Sequence, residues 1–557
     1  MLWLSVAAAA TLKVPEDYPT IQEAIDAAES GDFVEVYEGS YAEDLVVDID
    51  IEIGADGGQV EIVGTHVVDE DLRISGIDFT GDGENPCFQV TAEAFEISMS
   101  KIIGCDGAIV ATGTDLSLRG IAFSGNGAHN GPGVLDLVDG TLYLLDSEIS
   151  GNGTTYGNAG AIEVTGDVEV DDCLFSGNSG YNGAGALQVT GDVLITESTF
   201  SGDTTTYGAG GALYAAGGTV LIEDSGFRSH SAHNGGGAIA TRGADVELVG
   251  VTFEDTRTTY GHGGALDASG GNFVRLEDVV VDRASAQDNG GLIFANATSV
   301  EVLDSRFEGG QTTYGPGGGL ALTATSVELT RIWIEGCDSG NYGGGLYSDA
   351  DNTVLQNAVL MSNTASAGGG AWIAGDRAEV YNNDFLGNLA NSAPDGAAMS
   401  TDYAEFVNNI VSGSSQTLPA IGTGSVLSEH NAWFDNNEAG SLTHEMDVME
   451  DCEFVAFPDD LHLAEGSPCI DAGSPAVQDP DGSPSDIGAF GGPNAPWDGP
   501  IDTGLNEDSG DAGADTGLDG SGTDRGTGVR AFCGCGSSGA GVLVVALLAL
   551  AGRRRRR

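Results

Sequence analysis

Lysine is almost missing from this chain: Lys13 and Lys101 are the only two. Lys and Arg together number 19 against 85 Asp and Glu, and five of those 19 are the terminal Arg553 to Arg557. A surface so poor in positive charge repels phosphate backbones and anionic lipid head groups, so nucleic-acid binding is excluded as a function class. It attracts cations instead, and salt that screens its self-repulsion favours its solubility. Proline is ordinary at 15 residues, too little for collagen. The eight cysteines contain no C-x-x-C pair, which argues against a zinc site of the usual spacing. What the chain has in excess is glycine, 88 residues, beside ample Val, Ile, Leu and Phe for a packed core.

Those apolar residues recur with a period of about 26. Val168, Val170, Cys173 and Phe175 stand at relative positions 0, +2, +5 and +7. The same spacing returns at Leu72/Ile74/Ile77/Phe79, Leu116/Leu118/Ile121/Phe123, Val193/Ile195/Ser198/Phe200 and Val220/Ile222/Ser225/Phe227. It continues at Val246/Leu248/Val251/Phe253, Val300/Val302/Ser305/Phe307 and Val327/Leu329/Ile332/Ile334. Steps of two mean strand, because alternate side chains share a face. The step of three breaks that parity, so the chain turns a corner there. A third apolar pair precedes each set, as in Ile162/Val164 and Leu187/Val189. Three short inward-facing strands per period describe one coil of a parallel β-helix; a propeller blade needs about forty residues. The fold class expected is all-β: a right-handed parallel β-helix of fourteen or so coils, with a short N-terminal capping helix and a disordered acidic C-terminal stalk.

Between coils run Gly-rich segments of two alternating kinds, so the true unit is a pair of coils. One kind carries Tyr156, Tyr207, Tyr260 and Tyr314 in Thr-Thr-Tyr-Gly; the other holds His129-Asn130, Tyr181-Asn182 and His233-Asn234. The four tyrosines should line one side of the rod about 10 Å apart, two coils at about 4.8 Å each. Such a row can stack on sugar rings along a polysaccharide, and it can also simply pack over the turn below. Asn126, Asn152, Asn178, Asn363 and Asn388 each follow a rung residue by three positions, which predicts a hydrogen-bonded Asn ladder. Cys173 falls on a core position. Cys87 with Cys105, and Cys452 with Cys469, are the candidate disulfide pairs for an oxidising compartment.

The flanks read differently. Residues 1–10 (MLWLSVAAAA) have the apolar run and Ala-rich end of a signal peptide. Thr20-Ile21-Gln22-Glu23 is a capping box, with Ile21, Ala24, Ile25 and Ala28 on one helical stripe. With the GDFVEVYEGSY that follows (Gly31 to Tyr41), it resembles the entry of pectin-lyase-like and pectin-methylesterase-like β-helices. The β-helix with its cap is placed at 14–450 and a closing segment at 451–497. Within that segment, His462 to Pro493 resembles the closing region of bacterial β-helix surface proteins of the choice-of-anchor Q type. Residues 498–530 are an acidic linker without apolar periodicity. In 531–557, Cys533-Gly534-Cys535, an apolar stretch and five arginines resemble a MYXO-CTERM sorting tail. That resemblance implies processing and lipid anchoring near Cys533, with display at the cell surface and association with the outer membrane. A plain membrane anchor is the alternative, although Gly539 to Gly552 would reach only about 21 Å as a helix against a hydrocarbon core of about 30 Å.

Chemistry is less legible. Gly261-His262-Gly263 matches the GHG of polygalacturonases, but His262 occupies a variable position where sister coils carry Asn158, Ala209 and Pro316. A lyase needs clustered carboxylates and a Lys or Arg base. The densest titratable mixture is Arg228, His230, His233, Asp255, Arg257, Asp282 and Arg283, where a catalytic cleft would be sought. Asp471, Asp479, Asp481 and Asp486 have the oxygen density of a structural Ca²⁺ loop, or of simple Asp-Gly turns. Because an active site usually breaks a repeat, the regular coils favour a non-catalytic surface protein that binds glycan or a surface partner. The alternative is a polysaccharide lyase or hydrolase, and a groove with one local, non-repeated cluster of Asp and Arg would support it.

Overall fold

The computed structural model describes residues 9–392, 396–414, 420–422, 424–436 and 442–495. The expectations for residues 1–8, for the linker and for the tail with Cys533 lie outside them. Among the described residues no helix is long and apolar enough to cross a membrane.

The apolar period closes into a parallel β-solenoid of about 16 turns. Every rung residue named from the repeat is buried. Equivalent residues pair in exact register from coil to coil: Ile162 lies against Leu187, Leu187 against Leu213, Leu213 against Ile239 and Ile239 against Leu266. Stacking like on like converts a sequence period into columns of identical side chains. The Phe175–Phe200 and Phe200–Phe227 rings lie nearly parallel with centroids 4.5 and 4.8 Å apart. Near the N-terminal end, Thr20 Oγ1 accepts the Glu23 N–H at 3.2 Å, and the helix Ile21–Ala27 buries Ile21, Ala24 and Ile25 in the core.

Two features depart from expectation. The coils carry a fourth, two-residue strand after the third corner, as at Gly153–Thr154, Ser179–Gly180 and Thr204–Thr205. It has no pair of apolar residues, so it leaves no trace in the hydrophobic pattern. The coils also extend beyond the clear copies of the motif, beginning at Thr11–Val14 and running to Ala432–Phe434. In the later coils the corner position is Asn383, Asn409 and Asn431 rather than an apolar residue.

The expected Asn ladder forms. Asn126 N–H donates to Asn152 Oδ1 at 3.0 Å and Asn152 N–H to Asn178 Oδ1 at 3.1 Å, while Asn363 N–H donates to Asn388 Oδ1 at 3.0 Å. A second ladder, Asn383–Asn409–Asn431, runs at the other corner. Both candidate disulfides form, Cys87–Cys105 and Cys452–Cys469, and Cys173 is a buried free thiol.

After the last coil the chain turns back and packs across the outside of the solenoid. An antiparallel pair, Phe454–Ala456 with Asp460–Leu463, begins this segment. It covers Trp333, Val359, Leu386 and Ile410 with Leu461, Ile487 and Ala489. Three asparagines in the left-handed region anchor it. Asn357 Nδ2 donates to the Ala489 and Gly491 carbonyls at 2.8 and 2.7 Å, Asn382 Nδ2 to the Asp486 carbonyl at 2.9 Å, and Asn408 Oδ1 accepts from Ser474 N–H at 2.7 Å.

Candidate functional site

The four tyrosines are exposed, with Tyr207 at 50 % and Tyr314 at 68 %. Their row is denser than predicted. The intervening loops fill the gaps, so His129, Tyr156, Tyr181, Tyr207, His233 and Tyr260 form one continuous column. Neighbouring ring centroids lie 4.7 to 5.5 Å apart, and most pairs meet edge to face, at 71 to 82°. Backbone bonds hold the same register: Tyr156 N–H donates to the His129 carbonyl at 3.0 Å and Tyr207 N–H to that of Tyr181 at 2.8 Å. The missed members were visible in the sequence. His129, Tyr181 and His233 open the second kind of loop, and stacking both kinds in one column makes the spacing one coil rather than two.

The proposed titratable cluster splits in three. His230 points inward and is buried in the ladder column, and His233 belongs to the aromatic column. Arg228, Asp255, Asp282 and Arg283 remain together on the outer face of the third strand. They are joined there by Glu254, which accepts from Arg228 Nη2 at 2.6 Å and Arg283 Nη2 at 2.7 Å. Arg283 Nε also reaches Asp255 at 2.8 Å. The split follows from the corner at Ser229, whose φ of +59° breaks the strand alternation, so that Arg228 faces solvent and His230, two residues on, faces the core. His262 stacks on Phe294 with centroids 4.5 Å apart and accepts Asn289 N–H on Nδ1 at 3.2 Å, a packing role.

This outer face leads to a cleft that the sequence did not reveal. Glu254, Asp282, Glu308 and Glu335 are register partners on four successive coils. Carboxylates at about 4.8 Å spacing repel. Burial, only partly offset by Arg283, holds the Asp282 carboxyl above the usual range. Arg306 lies over the Trp333 ring at 5.4 Å and donates from Nε to Glu308 at 2.7 Å, while Trp333 Nε1 donates to Glu335 at 2.9 Å. The opposite wall is the returning C-terminal segment, residues 458–462 and Phe490. There His462 packs against Phe490 at 4.2 Å and contacts Asp460 at 2.8 Å. The cleft between the two walls has a volume of about 780 Å³.

Asp471, Asp479, Asp481 and Asp486 are brought into one turn region, where oxygens of Asp479, Asp481 and Asp486 accept from backbone N–H groups. Asp486 Oδ1 accepts Asp471 N–H at 2.7 Å, Asp479 accepts from Asp486 and Gly492, and Asp481 accepts from Ser483. Among the described residues no set of three or more His, Cys, Asp or Glu side chains is arranged to hold a metal ion.

No known family matches the chain, and no curated protein matches it. Two solved structures, both of the PL6-family alginate lyase AlyGC and one of them a mutant, align over 80 % of this chain and 99 % of theirs. Identity is 11 and 9 % and the TM-scores are 0.22 and 0.20, a likeness from which no activity follows.

Proposed function

We propose that this chain is an exported, surface-displayed β-helix that binds carbohydrate without turning it over. The observation that carries the reading is the exposed aromatic column, one ring per coil, since an extended glycan presents successive ring faces at a comparable advance. The two disulfides are in keeping with an oxidising compartment. Charge narrows the ligand. Every arginine of the described residues except Arg257 has a carboxylate within 4.0 Å, and Arg257 donates to Ser231. A uronic-acid polymer therefore finds no free cationic groove, and an uncharged or cationic glycan is favoured. The Tyr207→Ala/Tyr260→Ala double variant should weaken binding to the best glycan of an array by about tenfold or more. Binding that survives both substitutions would remove the column from the proposal.

A second reading, glycoside hydrolysis, is favoured by the carboxylates of Asp282, Glu308 and Glu335 beside Arg306 in one cleft, since paired carboxylates are the usual machinery of that reaction. New reducing ends released from a neutral glycan by the native chain, and not by Glu308→Gln, would establish it in place of the first.

A further inference from the structure

Behind the cleft, and sharing Leu461, His462 and Phe490 with it, is a smaller chamber of about 140 Å³. Ile410, Leu463, Ile470 and Ile487 line it, together with Asp486, whose Oδ1 accepts the Asp471 N–H. Asp384 also lines it. The repeat makes that aspartate an anomaly. Strand register places Trp333, Val359, Asp384, Ile410 and Ala432 in one outward row, and the C-terminal segment buries that row. Every other position in it is apolar or aromatic. Asp384 is completely buried, Oδ1 accepts the Ala489 N–H at 3.0 Å, and Oδ2 has no hydrogen-bond partner. Burial pushes its carboxyl up to about 8, with the Ala489 N–H opposing the shift in part.

An unpartnered, buried carboxylate oxygen is costly unless something completes it. A hydroxyl would use only part of its capacity, whereas a cation neutralises the charge that burial disfavours. The Ile410, Leu463 and Ile487 side chains and the His462–Phe490 ring pair suit an organic cation better than a hydrated metal ion, because rings attract cations and alkyl groups offer no oxygen ligands beyond the carboxylates of Asp384 and Asp486. The carboxylates of Asp282, Glu308 and Glu335, with Asp459 and Asp460 opposite, make the approach anionic. The cleft itself is large enough for sugar rings.

We propose that the chamber takes a primary ammonium group carried on a sugar, with Asp384 as its counter-ion and the cleft holding the rest of the oligosaccharide. The inference rests on the carbohydrate-binding reading and narrows it to amino sugars with a free amine. Asp384 is a binding residue in this scheme, and the acid that it releases on pairing gives a second signal.

The test is calorimetric titration of the full chain near neutral pH in about 0.3 M salt, which screens exposed charge. The probes are glucosamine oligomers and their fully N-acetylated counterparts, which lack the ammonium. The native chain should bind the free-amine form at least about tenfold more tightly. Asp384→Asn should erase that preference, as should Ile470→Trp, which fills the chamber and leaves the carboxylate in place. Glu169→Gln, on another face, should leave it intact. Titration in two buffers of different ionisation heat should show proton release for the native chain and none for Asp384→Asn. Equal binding of both oligomers, or a preference that survives Asp384→Asn, would overturn the ammonium site while leaving glycan binding standing. Binding of neither oligomer, with no glycan bound on an array, would overturn both. Competition by Ca²⁺ at equal concentration would replace the ammonium with a metal ion.

Discussion

In the ladder column each asparagine does two things: Oδ1 accepts the N–H of the preceding ladder residue, and Nδ2 donates to a carbonyl of the preceding coil. Asn178 shows the second bond, to the Ile149 carbonyl at 2.9 Å. His230 reproduces the arrangement with a ring. Nδ1 accepts Asp203 N–H at 3.1 Å and Nε2 lies 3.0 Å from the Phe200 carbonyl, which requires the neutral tautomer protonated on Nε2. Asp203 copies only half of it. Oδ1 accepts from Asn178, but Oδ2 stands where an amide would donate and has no hydrogen-bond partner, its nearest titratable neighbour being His230 Nδ1 at 3.8 Å. Burial therefore pushes the Asp203 carboxyl up to about 7, against the Asn178 bonds, and pushes the His230 imidazole down to about 4. The Asp203 contribution to stability is full below about pH 4, the ordinary carboxyl value, and is lost as pH rises to about 7. The His230 contribution is full above about pH 6.5 and is lost as pH falls towards 4. The two slopes oppose each other between those limits. Asp203→Asn removes one of them and supplies the missing donor. Unfolding free energies from urea titrations should then climb with pH from about 4 to 6.5 and exceed that of the native chain at pH 8 by on the order of 3 kcal/mol; equal values at pH 8 would refute the half-satisfied ladder.

At the scale of the coil, a glycine column explains the paired glycines of the loops. Gly185, Gly211, Gly237, Gly264 and Gly291 are successive members, and a Cβ on any of them would fall on the carbonyl oxygen of the next. Backbone passes over backbone there, and a side chain has no flexible neighbour to displace. Gly237→Ala should therefore destabilise the solenoid by about 3 kcal/mol, at the upper end of overpacking costs. Gly243→Ala, whose Cβ meets nothing but whose φ of +70° disfavours a side chain, should cost about 1 kcal/mol. Thermal melts of the two variants side by side check the order; a smaller loss for Gly237→Ala would contradict it.

Over the whole molecule, like charge is repeated as faithfully as like side chain. Exact register that stacks phenylalanines also stacks Glu254, Asp282, Glu308 and Glu335, and the formal net charge is −66. Raising salt from about 0.01 to about 0.5 M should therefore raise the melting midpoint, because screening relieves repulsion between exposed charges while the buried columns are indifferent to it. A midpoint that falls with added salt would show that the arginine pairs, not the acid rows, dominate the surface.

The period of the chain by itself determined the rungs, the buried columns, the Asn ladder and the row of tyrosines. It could do so because each contact is made between residues about one repeat apart, so the pattern along the chain is also the pattern through space. The fourth strand escaped because it carries no apolar pair, and the full aromatic column because its members alternate between two loop motifs. Only the tertiary structure decided the cleft. The bonds from Asn357 that dock its far wall span 132 and 134 residues, join a repeat to a segment that has none, and depend on shape rather than on period. In sequence, Trp333 and Asp384 are simply outward positions of a strand. Covering that row is what turns one of them into the floor of a cleft and the other into a buried, half-partnered acid.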